Sequence, residues 1–69
     1  MLSKNQIELI KKMYQEGTRI VLIKMDSGEI DSGEAGTVCG VDDMGNVLVN
    51  WDNGRGLNLL PDVDSFRKM

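Results

Sequence analysis

"TVCGVDDMGNVLVNWDNGRGLNLLP", residues 37–61, is the stretch that decides the fold. "TVCGV" (37–41) is a short strand rich in β-branched residues. "DDMG" (42–45) is a turn: Asp42 and Asp43 can accept hydrogen bonds from backbone N–H groups two residues on, and Gly45 suits a positive φ. "NVLVNWD" (46–52) is a second strand, in which Val47, Val49 and Trp51 share parity. Asn53-Gly54 is the strongest two-residue hairpin signal. "LNLL" (57–60) is a third strand, broken by Pro61 and Asp62.

The hydrophobic pattern constrains the register of the second hairpin. A strict two-residue loop would face Trp51 with Gly56 and Val49 with Asn58, which puts a polar side chain on the apolar face. Pairing Trp51 with Leu57 and Val49 with Leu59 closes that face, because a one-residue slip flips every side chain. The expectation is a three-residue loop or a bulge near Arg55-Gly56, with Asp52 and Arg55 paired diagonally at the surface.

Upstream, "SKNQIELIKKMYQEG" (3–17) reads as a helix. Ser3 and Gln6 have the spacing of a capping box. Ile7, Ile10 and Tyr14 fall on one stripe with Met13 beside them, and Gly17 is the expected C′ residue. "TRIVLIKM" (18–25) is a strand whose run Ile20-Val21-Leu22-Ile23 does not alternate, so both faces should be covered. Ile20 and Leu22 would face the core, and Val21 and Ile23 would receive the helix. "DSGEIDSGEAG" (26–36) is a polar, glycine-punctuated loop with DSGE twice. "DSFRK" (64–68) is a short closing strand. The sum is a mainly β domain, a small five-stranded antiparallel barrel over residues 17–69 with a helix over 1–16. Its core should include Ile20, Leu22, Val38, Val41, Val47, Val49, Leu57, Leu59 and Phe66.

Composition narrows the function. Sixty-nine residues with 41% hydrophobic content make one small globular domain. Residues 1–25 carry five basic and two acidic side chains; residues 26–66 carry nine acids against Arg55 alone, a net of −8. An acidic body disfavours nucleic acid as a partner, since phosphate binding depends on Lys and Arg. No apolar run is long enough to span a membrane. The N-terminus lacks the apolar core of a secretory signal, and a single cysteine suits a reducing compartment, so a cytoplasmic location is expected.

Catalytic signatures are missing. Without histidine there is no Ser-His or Cys-His nucleophile pair and no His-ligated zinc. One cysteine makes no zinc knuckle, and the phosphate-binding and EF-hand patterns do not occur. No enzyme, cofactor or metal is expected. Cys39, between Val38 and Val41, reads as a small buried hydrophobe. Trp51 has two readings. Parity with Val47 and Val49 favours packing in the core, whereas a strand-end Trp can also stand as a partly exposed anchor beside a peptide groove.

"EGTRIVLIKMD", "GTVCGVDDMGNVLVNWDNG" and "LNLLPDVDSF" together resemble a bacterial and phage family of small domains of unknown function, over residues 16–66. That family has an EGTR strand, a GTV strand, a VDD-x-G turn, a WDNG hairpin and a closing P-x-x-DSF segment. The G-T-V…V-x-W-D-x-G arrangement also looks, more loosely, like the Mib–HERC type of SH3-like barrel. The chain departs from the family in the loop "DSGEIDSGEA", where prolines are usual, and at Asp62, where Gly is common. The resemblance implies an SH3-like fold and no established activity. By analogy with SH3-like folds, the expected function is a non-catalytic module that binds a protein or peptide near Trp51. Arg55, Asp42, Asp43 and Asp52 would stand at its rim. Two alternatives stay open. One is an acidic accessory protein of a phage or mobile element that inhibits a nucleic-acid-binding protein. The other is a nucleic-acid-binding barrel, which would need Lys4, Lys11, Lys12, Arg19 and Lys24 in one patch. Homodimerisation is also open.

Overall fold

The computed structural model describes residues 2–69; Met1, the first residue of the expected helical segment, lies outside them. One helix, α1 (Lys4–Met13), precedes four strands: β1 (Arg19–Lys24), β2 (Ala35–Val41), β3 (Val47–Trp51) and β4 (Ser65–Lys68). They form an antiparallel sheet in the order β3-β2-β1-β4.

The capping box forms as its spacing predicts. The Gln6 N–H donates to Ser3 Oγ at 3.2 Å and the Ser3 N–H donates to Gln6 Oε1 at 2.8 Å. The helix ends sooner than expected, with Tyr14 as its C-cap. Gly17 belongs to the next turn, where the Thr18 N–H donates to the Gln15 carbonyl.

The core lies on one face of the sheet. Ile20, Leu22, Val38, Val47, Val49, Trp51 and Leu59 are buried there with Met25 and Ile30, and Val41, Leu57 and Phe66 are partly buried against them. Ile30 comes from the polar loop, where no periodicity marks it, and Met25, expected as the last residue of the first strand, lies just past the end of β1. Ile20, Gly36 and Trp51 form one row across three strands. A Cβ on Gly36 would lie 2.6 Å from Val49 Cγ1 and 3.0 Å from Trp51 Cε3, so the strand needs glycine where the indole crosses it.

The opposite face is not covered. Val21 is half-buried and Ile23 is 52% exposed. The helix packs towards β2 rather than landing on β1. Tyr14 rests on Phe66, with ring centroids 5.1 Å apart, on the core side of the sheet. Ile7 and Leu2 approach the turn at Gly45. A non-alternating strand therefore does not imply cover on both faces here.

Two further expectations change. The barrel of five strands is an open sheet of four. Residues 56–59 run beside β3 through two isolated bridges, Val47↔Leu59 and Asn50↔Gly56, without becoming a strand. Leu59 exchanges both backbone bonds with Val47, but the residues on either side of it bond elsewhere. The Leu57 carbonyl accepts from Trp51 Nε1 at 2.9 Å, and both polar groups of Leu60 bond to Asp64. Cys39 is exposed rather than buried, because it follows the inward-facing Val38 and strand alternation points it to the other face, at the place where the ladder between β2 and β3 shifts register.

The hairpin register preserves parity but is tighter by one residue pair. The Trp51 N–H donates to the Arg55 carbonyl at 2.8 Å and the Gly54 N–H to the Trp51 carbonyl at 3.0 Å. Three residues form the loop, as expected, but Trp51 faces Arg55 rather than Leu57. The residue with positive φ is Gly54 at +91°, not Gly56. This is the three-residue hairpin with glycine at its left-handed position. Even parity keeps Leu57 and Leu59 on the side of Val47 and Val49.

Candidate functional site

The expected rim residues separate into three places. Trp51 is 3% exposed, with its indole N–H paired to the Leu57 carbonyl, so it offers almost no surface. Arg55 does not meet Asp52. Its Nη1 donates to the Glu29 carbonyl at 2.9 Å, tying the hairpin to the loop 25–34. The loop tip is held by Asn53, whose Oδ1 accepts from the Arg55 N–H at 2.9 Å.

Asp52 instead engages Arg19 with two bonds of 2.7 Å, on the open face of the sheet, where Arg19 also donates to Thr37 Oγ1 at 2.9 Å. The hydrogen bond to Arg19 holds the Asp52 carboxyl below its ordinary pKa, and the same bond raises Arg19. Asp42 closes the turn its sequence announced. Its Oδ1 accepts from the N–H groups of Met44 at 3.0 Å and Asn46 at 2.9 Å, and Oδ2 accepts from Asn46 Nδ2 at 3.0 Å. The backbone bond from Asn46 is the largest cause of its lowered pKa. Asp43 is solvent-exposed, 3.4 Å from Lys11 Nζ. Two of the cations needed for a basic patch, Lys11 and Arg19, thus have acidic partners.

A different surface is concave. A groove of about 380 Å³ runs between the start of the loop after β1 and the segment 56–64. Met25, Leu57, Leu60 and Val63 line it, with the exposed acids Asp26 and Glu29. Leu60 is 42% and Val63 53% exposed, so apolar side chains open directly to solvent. Asp64 fixes the two walls. It is 8% exposed, and its Oδ1 accepts from the Asp26 N–H at 2.9 Å while Oδ2 accepts from the Leu60 N–H at 2.8 Å. The Asp64 N–H returns to the Leu60 carbonyl at 2.7 Å, closing the turn around Pro61. One buried carboxylate therefore sets the spacing of loop and turn.

A family model described as "Domain of unknown function (DUF4314)" matches residues 3–69. The chain belongs to that family. The match takes in α1 as well as the sheet, so the capping box at Ser3 lies within the DUF4314 domain and is not an appendage. No curated protein matches the chain.

None of the groove's apolar lining or its Asp64 clamp was identified from the sequence as a site. The signal available was "LLPDVD" (59–64), in which Leu60 and Val63 fit no strand parity with the core. Among the described residues no cluster of Cys, Asp and Glu has the arrangement of a metal site, and no helix of the DUF4314 domain is long and apolar enough to cross a membrane.

Proposed function

We propose that this domain is a small non-catalytic interaction module that binds a polypeptide partner, and that the contact surface is the groove between residues 25–29 and 56–64. The carrying observation is that Leu60 and Val63 stand open beside Met25 and Leu57 in a concavity whose walls Asp64 fixes. Its volume is at the low end of the ~300–1,000 Å³ typical of ligand pockets, which suits one or two side chains of a peptide. Preformed walls reduce the ordering cost of binding.

The proposal moves the contact surface away from Trp51, which supports the groove from inside by bonding the Leu57 carbonyl. Arg55 keeps a place at the margin through its bond to Glu29. The same reading takes the fold as SH3-like, with residues 56–59 as a rudimentary fifth strand. Its support is the pair of bridges to β3 and the antiparallel order of the sheet. The lone thiol, Cys39, suits a cytoplasmic setting.

The test is backbone amide NMR with peptides selected from a random library displayed on phage. Binding peptides should shift the resonances of residues 25–29 and 56–64. The double variant Leu60→Ser/Val63→Ser changes exposed positions only and should keep the wild-type spectrum while losing binding by tenfold or more. Peptides that instead shift the open face, around Ile23 and Arg19, refute the location.

A further inference from the structure

We infer that the occupant of the groove is an extended polypeptide segment in which an apolar side chain is flanked by lysine or arginine. This rests on the reading of the groove as a docking site and adds the chemistry of its partner. The apolar part of the lining, Met25, Leu57, Leu60 and Val63, calls for an aliphatic or thioether side chain. The charged part is of one sign: Asp26, Glu29 and Asp64 line the groove and no Lys or Arg does.

Two cations adjoin the lining in the chain without entering it: Lys24, which precedes Met25, and Arg55, which has one guanidinium nitrogen on the Glu29 carbonyl. The carboxylate of Asp64 is fixed by two N–H donors and adds a buried negative charge behind the apolar surface. Of the nine acids in residues 26–66, Asp26, Glu29 and Asp64 line the groove, and Asp52 and Asp43 lie elsewhere, beside Arg19 and Lys11. A concave, partly apolar site focuses such a field and draws cations to it. Electrostatic complementarity then selects a basic segment and speeds its association. The same field repels a nucleic-acid backbone, which leaves polypeptide as the source of the positive charge.

Competition among displayed random peptides tests this against the double variant Asp26→Asn/Glu29→Gln. Both positions are exposed, so the variant should keep the wild-type NMR spectrum. Peptides selected on the wild type at low salt should be enriched in Lys or Arg beside an aliphatic residue. Fluorescence anisotropy with the synthetic peptides should show affinity falling about tenfold in Asp26→Asn/Glu29→Gln, a loss of ~0.7 kcal/mol for each of two exposed charge pairs. Raising the salt to about 0.5 M should weaken wild-type binding and leave the variant nearly unchanged. Selected peptides without basic residues, or affinity indifferent to both salt and the double variant, would overturn the inference while leaving the groove as the docking site. A selection in which no peptide shifts residues 25–29 and 56–64 overturns both. If the protein self-associates with rising concentration and those same resonances shift without peptide, a second copy is the occupant and the inference of a foreign basic segment is wrong.

Discussion

Gly36 and Asp64 show how much of a small domain can depend on single atoms. The indole of Trp51 and the Cγ1 of Val49 occupy the space a side chain at 36 would take. Gly36→Ala must push apart two strands, and overpacking of this kind costs about 1–3 kcal/mol. A domain of 69 residues holds little stability in reserve, so urea denaturation should show a large drop in midpoint. Asp64 acts by the opposite means, removal rather than crowding. Asp64→Ala leaves the N–H groups of Asp26 and Leu60 without their acceptor, and hydrogen bonds to a charged group contribute about 1.5–3 kcal/mol. The expected loss is about 2–4 kcal/mol. Hydrogen exchange should place the added mobility at those two amides, and Asp64→Asn, with one acceptor oxygen left, should lose less. Uniform exchange across the sheet, with no excess at Asp26 and Leu60, would contradict the clamp.

At the scale of elements, sequence patterns fixed what was local and left the tertiary arrangement open. The capping box and the Asp42 turn were legible because their hydrogen bonds span only a few residues. The 52–54 loop was half legible. Hydrophobic alternation determines parity, and parity was right, but it cannot tell Trp51–Leu57 from Trp51–Arg55, since both keep Leu57 and Leu59 inward. The turn itself decides: the Gly54 N–H closes on the Trp51 carbonyl, and only a left-handed residue at 54 allows it. This separates two glycines that look alike in the sequence. Gly54→Ala should destabilise by about 1–2 kcal/mol, the cost of a left-handed L-residue. Gly56→Ala should be nearly neutral, because a Cβ there meets nothing closer than Asn50 Oδ1 at 3.9 Å. Thermal unfolding of the two variants checks this, and equal losses would return the bulge to Gly56. The groove was illegible for a related reason. Its walls come from a loop and a turn far apart in the chain, joined by a carboxylate that no periodicity announces.

For the molecule as a whole, charge sets a dependence on acid that the individual sites allow us to sign. The carboxyls of Asp42 and Asp52 have lowered pKa values in the folded state. A group with a depressed folded pKa stabilises fully above its unfolded value, near ~4, and that contribution is lost as pH falls through the folded value. Arg19 is shifted upward and stays charged throughout this range, so it adds no pH dependence of its own. Protonation also relieves repulsion within the acidic body, which opposes the loss at first. Below about pH 4 the opposition reverses, because the remaining carboxylates disappear and eight cationic side chains repel without counter-charges. Urea midpoints should therefore hold steady or rise slightly from pH 7 to 5 and fall steeply below 4. Asp42→Asn and Asp52→Asn should each flatten the fall, and salt tells them apart. Asp52 draws first on its hydrogen bonds to Arg19 and in smaller part on the charge of that exposed pair, which is screened at about 0.5 M, so its variant should move closer to wild type there. Asp42 draws on backbone and amide donors of its own turn, which salt does not screen, so its variant should stay flatter at any ionic strength. A wild-type midpoint that does not change between pH 5 and 2.5 would show that neither carboxylate is held as the hydrogen bonds require.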